Sequence, residues 1–203
     1  MVQTSILLET IALTLPRAIA LRITPEQFET LAHHNRDLRL ERTHTGALIV
    51  NPPTGWETGR RNFKFSIQLG KWWESQGEPG EVFDSSTGFT LPNGAIRSPD
   101  ASWVSQERWD ALTPEQKRTF ANICPDFVME LRSQSDTLKS LQEKMLEYIE
   151  NGAKLGWLLD PFNQRVEISR SNQSVEILDN PAQLSGEDVL PGFVLNLNRI
   201  WGN

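Results

Sequence analysis

The chain has 203 residues, 38% of them hydrophobic and 23% charged, which suits one globular domain with a core of its own and excludes a disordered segment. A single cysteine, Cys124, excludes an internal disulfide and a cysteine zinc site, and the three histidines lack the HxxxH spacing of a zinc hydrolase. The net charge of -6 argues against tight binding of nucleic acid by bulk electrostatics, yet leaves room for carboxylates gathered around a divalent cation.

In chain order, Ser5 to Ala20 is apolar but contains Glu9 and Pro16 and lacks a basic start, so it reads as an arm or an edge strand. Neither an export signal nor a membrane helix is expected, and a cytoplasmic location follows as the default. Thr24-Pro25-Glu26 predicts a helix start, with Phe28, Leu31 and Ala32 on one face and an end near Asn35. His33 and His34 then fall at an exposed helix end. Leu38 to Glu41 and Ala47 to Asn51 predict a hairpin around Thr43-His44-Thr45-Gly46. Pro52-Pro53-Thr54-Gly55 closes it, and Thr58 to Ser75 reads as a helix carrying Phe63, Ile67 and Trp73.

Glu81 to Phe83, Gly88 to Leu91 and Ala95 to Val104 are strand candidates, the last two joined by the turn Pro92-Asn93-Gly94. Glu107 to Ala111 and Thr113 to Phe120 predict short helices. Phe127 to Leu131 predicts a strand. Ser135-Asp136 is expected to cap an amphipathic helix to Glu150, with Leu138, Leu141, Met145 and Ile149 buried and Gly152 as its stop. Leu155 to Leu159 reads as a central strand, and Val166 to Ser169 with Ser174 to Leu178 as a closing hairpin. The tail from Leu190 to Trp201 reads as an apolar packing segment. This order predicts an α/β (α+β) fold, a mixed central sheet flanked by helices. It holds no phosphate-binding glycine loop and no GxSxG elbow.

Two strands carry acids that a sheet would bring together: Ser98-Pro99-Asp100-Ala101 and Pro125-Asp126-Phe127-Val128-Met129-Glu130-Leu131-Arg132. Asp126 and Glu130 share one strand face. A carboxylate in so apolar a strand needs a cation, a metal or hydrogen-bond donors, and a plain salt bridge satisfies that need as well as a metal does. Lys144 lies beside the apolar stripe of the following helix, where it either makes a structural ion pair or orients water at a phosphate. Glu41 reads from its position alone as an exposed hairpin acid. These residues define a carboxylate cluster with a lysine, compatible with magnesium, and leave the chemistry open.

The segments RDLRLERTHTGALIVNPPTG, ETGRRN, FDSSTGFTLPNGAIRSPDASWVSQERW, ALTPEQ, CPDFVMELRSQSD, LQEKMLEYIENGAKLGWLLDP and LSGEDVLPGFVLNL, in this order, resemble a bacterial family of restriction-endonuclease-like proteins abundant in cyanobacteria, within the PD-(D/E)XK nuclease superfamily. The resemblance implies a restriction-endonuclease-like domain over residues 24–203 behind an arm of residues 1–23. It implies phosphodiester hydrolysis, in DNA, with Mg2+ or Mn2+. On this resemblance Asp100 and Glu130 are metal ligands with the Leu131 carbonyl, Lys144 orients the attacking water, and Glu41 is an outer or second-metal ligand. Asp126 is a neighbour or support. Arg132 stands where the superfamily expects lysine, which the resemblance moves to the next helix at Lys144; Asp100, Glu130 and Lys144 together favour the nuclease, while Arg132 and the acidic net charge leave room for a non-catalytic nucleic-acid or protein-interaction module.

Arg60, Arg61 and Lys64 are candidates for DNA backbone contacts, the alternative being a solvated helix face. Seven tryptophans are more than a domain of this size readily buries, which predicts a homodimer or larger homo-oligomer.

Overall fold

The computed structural model describes residues 21–202, so the apolar arm up to Ala20 lies outside the described residues. Helix α1 (Pro25–His34) starts at a capping box in which Thr24 accepts from the Gln27 N–H and the Gln27 side chain reaches back to the Thr24 N–H. Strands β1 (Arg39–Arg42) and β2 (Leu48–Asn51) form the expected hairpin.

Helix α2 (Trp56–Ser75) begins two residues earlier than expected, directly after Gly55. Its buried stripe is Phe65, Leu69 and Trp72, while Phe63 is 68% exposed. The spacing of four and three residues from Phe65 follows the helical repeat, and Phe63 lies off that face.

Strands β3 (Glu81–Asp84), β4 (Phe89–Thr90), β5 (Ile96–Arg97) and β6 (Ala101–Val104) follow. The run from Ala95 to Val104, expected as one strand, is two strands in two sheets. β5 pairs with β1 and β4, whereas β6 pairs with β3 and β7. Pro99 has no N–H to give a ladder, so the chain crosses between sheets there. Helix α3 (Gln106–Asp110) is short, and the expected helix from Thr113 to Phe120 shrinks to one 3-10 turn, Gln116–Arg118.

Strand β7 (Phe127–Leu131), helix α4 (Leu138–Glu150) and strand β8 (Leu155–Asp160) make a β-α-β unit in which β7 and β8 run parallel. The cap of α4 is Thr137, which accepts from the Ser140 N–H. Asp136, expected to share that cap, instead accepts from the backbone and hydroxyl of Ser133. Strands β9 (Arg165–Arg170) and β10 (Glu176–Asp179) form the closing hairpin, and β11 (Gln183–Ser185), β12 (Val194–Asn196) and α5 (Asn198–Trp201) end the chain.

The principal sheet has the order β10-β9-β8-β7-β6-β3, and a smaller one has the order β2-β1-β5-β4. One face of the principal sheet buries Phe127, Met129 and Trp157 against Phe65, Leu69 and Trp72 of α2 and against Phe193, Ile200 and Trp201 of the C-terminal segment. The other face packs Val128 and Leu158 against Leu141, Met145 and Tyr148 of α4. Gly156 faces α4, and a Cβ there would collide with the Met145 sulfur, so α4 lies unusually close to the sheet. That approach brings its neighbour Lys144 within reach of the strand acids.

Trp72, Trp103, Trp157 and Trp201 are buried and Trp73 and Trp109 half-buried. Six of the seven therefore pack within the chain, which removes the tryptophan count as a reason for an oligomer. No helix among the described residues is long and apolar enough to cross a membrane.

Candidate active site

The site forms where the two sheets meet. Glu41 comes from the middle of β1, Arg97 from the end of β5, Asp100 from the crossing before β6, Glu130 from the end of β7, and Lys144 and Tyr148 from successive turns of α4. All of the acids and Lys144 line one cleft of about 1480 Å³, together with Leu131.

Lys144 is the hub. Its Nζ lies 2.8 Å from Glu41 Oε1 and 2.7 Å from Glu130 Oε1. Burial disfavours its charge, but the two carboxylates outweigh burial and raise its pKa, so it stays cationic. Glu130 also accepts from Tyr148 Oη at 3.0 Å on the same oxygen. Both donors therefore sit on Oε1, and no hydrogen bond occupies Oε2 among the described residues. Burial first, with Asp100 and Glu41 adding repulsion against the pull of Lys144, pushes the Glu130 pKa up to about 7.

Asp100 accepts from the Leu131 N–H at 2.9 Å and from Asn62 Nδ2 at 3.2 Å, with Arg39 3.7 Å away. Burial outweighs these partners and raises its pKa. Glu41 differs. It is 3% exposed, not an exposed hairpin acid, and it has two close cationic partners, where Asp100 has only Arg39 at 3.7 Å. Oε1 accepts from Lys144 and from the Ser98 N–H, and Oε2 pairs with Arg97 at 3.2 Å. Burial opposes ionisation, but Lys144 and Arg97 overcome it and lower the Glu41 pKa.

Arg97 reaches on to Glu147 at 2.6 Å, and Glu147 also meets His44 and Asn93. The nearly buried set thus holds four carboxylates, Glu41, Asp100, Glu130 and Glu147, against two cations, Arg97 and Lys144. This deficit of positive charge, centred on Asp100 and Glu130, fits a divalent cation. Hard oxygen donors of this kind suit Mg2+ or Mn2+. No cluster of three or more His, Cys, Asp or Glu with metal-binding geometry occurs among the described residues. The fit therefore rests on two carboxylates with a main-chain oxygen such as that of Leu131.

The remaining candidates lie elsewhere. Asp126 sits at the other end of β7, fully buried, with the Ser105 N–H at 2.9 Å and with Arg108 and Lys154 as ion partners at 3.1 and 2.9 Å. Arg132 turns away from the cluster to Asp160 at 2.8 Å and lies over the Phe162 ring. Arg61 lines the cleft, but it is tied to Glu57 and to the Ile200 carbonyl, and Arg60 also pairs with Glu57. Arg60 and Lys64 are not part of the cleft lining.

Sequence reasoning missed Arg97, Tyr148, Asn62 and Glu147. Two signals were available: an arginine inside the apolar run Ala95-Ile96-Arg97 implies a buried acid partner, and Tyr148 stands one helical turn after Lys144.

Residues 25–198 match the Uma2 family, described as "Putative restriction endonuclease". A crystal structure of a "putative nuclease belonging to DUF820" from Anabaena variabilis superposes with a TM-score of 0.66 at 21% identity, over 80% of this chain and 89% of that one. That likeness shows the shared fold, a mixed sheet flanked by helices. No curated protein matches the chain. With a family match spanning nearly all of the described residues, the chain belongs to the Uma2 family of restriction-endonuclease-like proteins.

Proposed function

We propose that the protein is a metal-dependent endonuclease that hydrolyses phosphodiester bonds in DNA, with residues 24–203 as its catalytic domain and residues 1–23 as an appended arm. The observation that carries this reading is the buried carboxylate excess around a lysine, open to a large cleft, in a chain of this family.

Asp100 and Glu130 would hold Mg2+ or Mn2+, with the Leu131 carbonyl as a further donor. When bound, the ion would supply Lewis acidity toward the scissile phosphate and lower the pKa of water. Lys144, fixed as a cation, cannot serve as a general base. Two of its three N–H donors go to Glu41 and Glu130; the third, held only at 3.5 Å by the Ser98 carbonyl, is the one that orients the attacking water, and its charge offsets that building on the phosphate oxygens. Glu41 acts as the anchor of Lys144, since Lys144 and Arg97 already neutralise it. Tyr148 holds Glu130 by Oε1 and leaves Oε2 turned to its other side. Arg132 is not needed for the chemistry, because Lys144 supplies the cation from α4.

Incubation of plasmid and single-stranded circular DNA with the purified protein in millimolar magnesium tests the proposal. Metal-dependent nicking or linearisation that EDTA and Asp100→Ala both abolish supports it. A homogeneous, folded protein that leaves both DNAs intact with magnesium and with manganese overturns it in favour of a binding module.

A further inference from the structure

Trp56 opens α2 at the rim of the catalytic cleft and is 96% exposed, whereas the other six tryptophans are buried or half-buried. No need of the fold accounts for so exposed an indole. It follows Pro52-Pro53-Thr54-Gly55, a segment that lines the same cleft. Phe162, half-exposed, lines the same cleft.

The charge of the cleft points the same way. Eight carboxylates line it against four arginine and lysine side chains. Of those four, Lys144 and Arg97 are committed to Glu41, Glu130 and Glu147, and Arg61 to Glu57. Arg39, one-third exposed, is the most loosely held of the four, 3.7 Å from Asp100. A duplex is held chiefly by neutralising its phosphates, and this lining does that poorly. A single strand carries phosphates too, at lower charge density, but its unpaired bases also offer π-faces whose stacking on an aromatic platform adds binding that the duplex cannot gain.

Resting on the nuclease reading above, we infer that the cleft takes a DNA strand with at least one unpaired nucleotide, whose base stacks on Trp56, so that single-stranded or locally opened DNA is preferred over intact duplex. Trp56 is then the residue that sets this preference.

Binding separates this inference from the nuclease reading. Fluorescein-labelled single-stranded and duplex oligonucleotides of the same sequence are titrated in an Asp100→Asn background, by anisotropy and by tryptophan fluorescence. The expected result is tighter binding of the single strand with quenching of tryptophan emission. Trp56→Ala should weaken single-strand binding roughly tenfold and duplex binding much less, while Trp56→Phe keeps most of the affinity. Unchanged or equal losses on both DNAs, with cleavage by the parent enzyme intact, overturn the inference and leave the nuclease reading standing. A dimer by light scattering that Trp56→Ala dissociates also overturns it, because the indole then faces a second copy. Absence of cleavage and of binding to either DNA removes the nuclease reading itself.

Discussion

Two proline–aspartate pairs stand at the entrances of neighbouring antiparallel strands, Pro99-Asp100 before β6 and Pro125-Asp126 before β7, and so at opposite ends of the same ladder. Both aspartates are largely withdrawn from water, yet burial acts on them with different outcomes. At Asp126 burial is outweighed by the Ser105 N–H, Lys154 and Arg108, and its pKa is lowered. At Asp100 burial wins over the Leu131 N–H, Lys144, Arg39 and Asn62, and its pKa is raised. The same dipeptide thus marks a carboxylate that the chain satisfies itself and one that it leaves short of positive charge. The second kind is the one that a ligand cation would complete.

The largest expected effect separates the two ends by activity. Asp100→Ala and Glu130→Ala should each lower DNA cleavage by on the order of 10³-fold, the scale of losing a metal's charge stabilisation, while Asp126→Ala retains cleavage in the folded fraction. A gel assay on matched samples checks this, and the reverse pattern would exchange the roles of the two pairs.

Lys144→Met should come next. It should reduce cleavage by about 10²-fold or more. It should also cost about 3 kcal/mol of stability, because Glu41 and Glu130 then face each other without their shared cation. Urea denaturation measures that cost, and Lys144→Arg should restore stability better than it restores cleavage.

Acidity should then draw the contrast in sign. Glu130 has a folded-state pKa of about 7, above its unfolded value, so its contribution to the metal-free protein is fully present below the unfolded carboxylate range and is lost as pH rises through about 7. Asp126 has a lowered pKa, so its contribution is present above the unfolded value and is lost as pH falls through the folded one. Melting temperatures across pH should show Glu130→Gln flattening the decline toward neutrality and Asp126→Asn flattening the decline in acid. Matching slopes in both variants would erase the distinction.

The smallest effect belongs to Arg132. Paired with Asp160 and stacked on Phe162, it should tolerate Arg132→Ala with cleavage kept within about tenfold and a loss of about 1–2 kcal/mol, since Asp160 keeps Asn163 and the Phe162 N–H as donors. A loss as deep as that of Lys144→Met would show that the strand position still carries the chemistry.

The β-α-β unit was legible in the sequence because its signals are local: an apolar strand, a helical stripe and a glycine stop. Asp100, Glu130 and Lys144 sit in or beside that unit, and the structure gathers them around one cleft. Glu41 was misjudged as exposed because its burial depends on Lys144 and Arg97, both far along the chain, which no periodicity within β1 reveals. The strand from Ala95 to Val104 was over-extended for the opposite reason: the break at Pro99 is a local signal, but the apolar pairs Ala95-Ile96 and Trp103-Val104 at the two ends of the run masked it. The early start of α2 at Trp56 follows from Gly55, which caps by its backbone alone and leaves no side-chain signature.

The most direct test of the account is the change in melting temperature on adding millimolar magnesium to the parent protein, Asp100→Asn and Asp126→Asn, compared at neutral pH. Ligand linkage predicts a rise in the parent and in Asp126→Asn and none in Asp100→Asn. No rise in the parent with either magnesium or manganese, or an equal rise in all three proteins, would contradict the claim that Asp100 and Glu130 form a site built for a divalent cation.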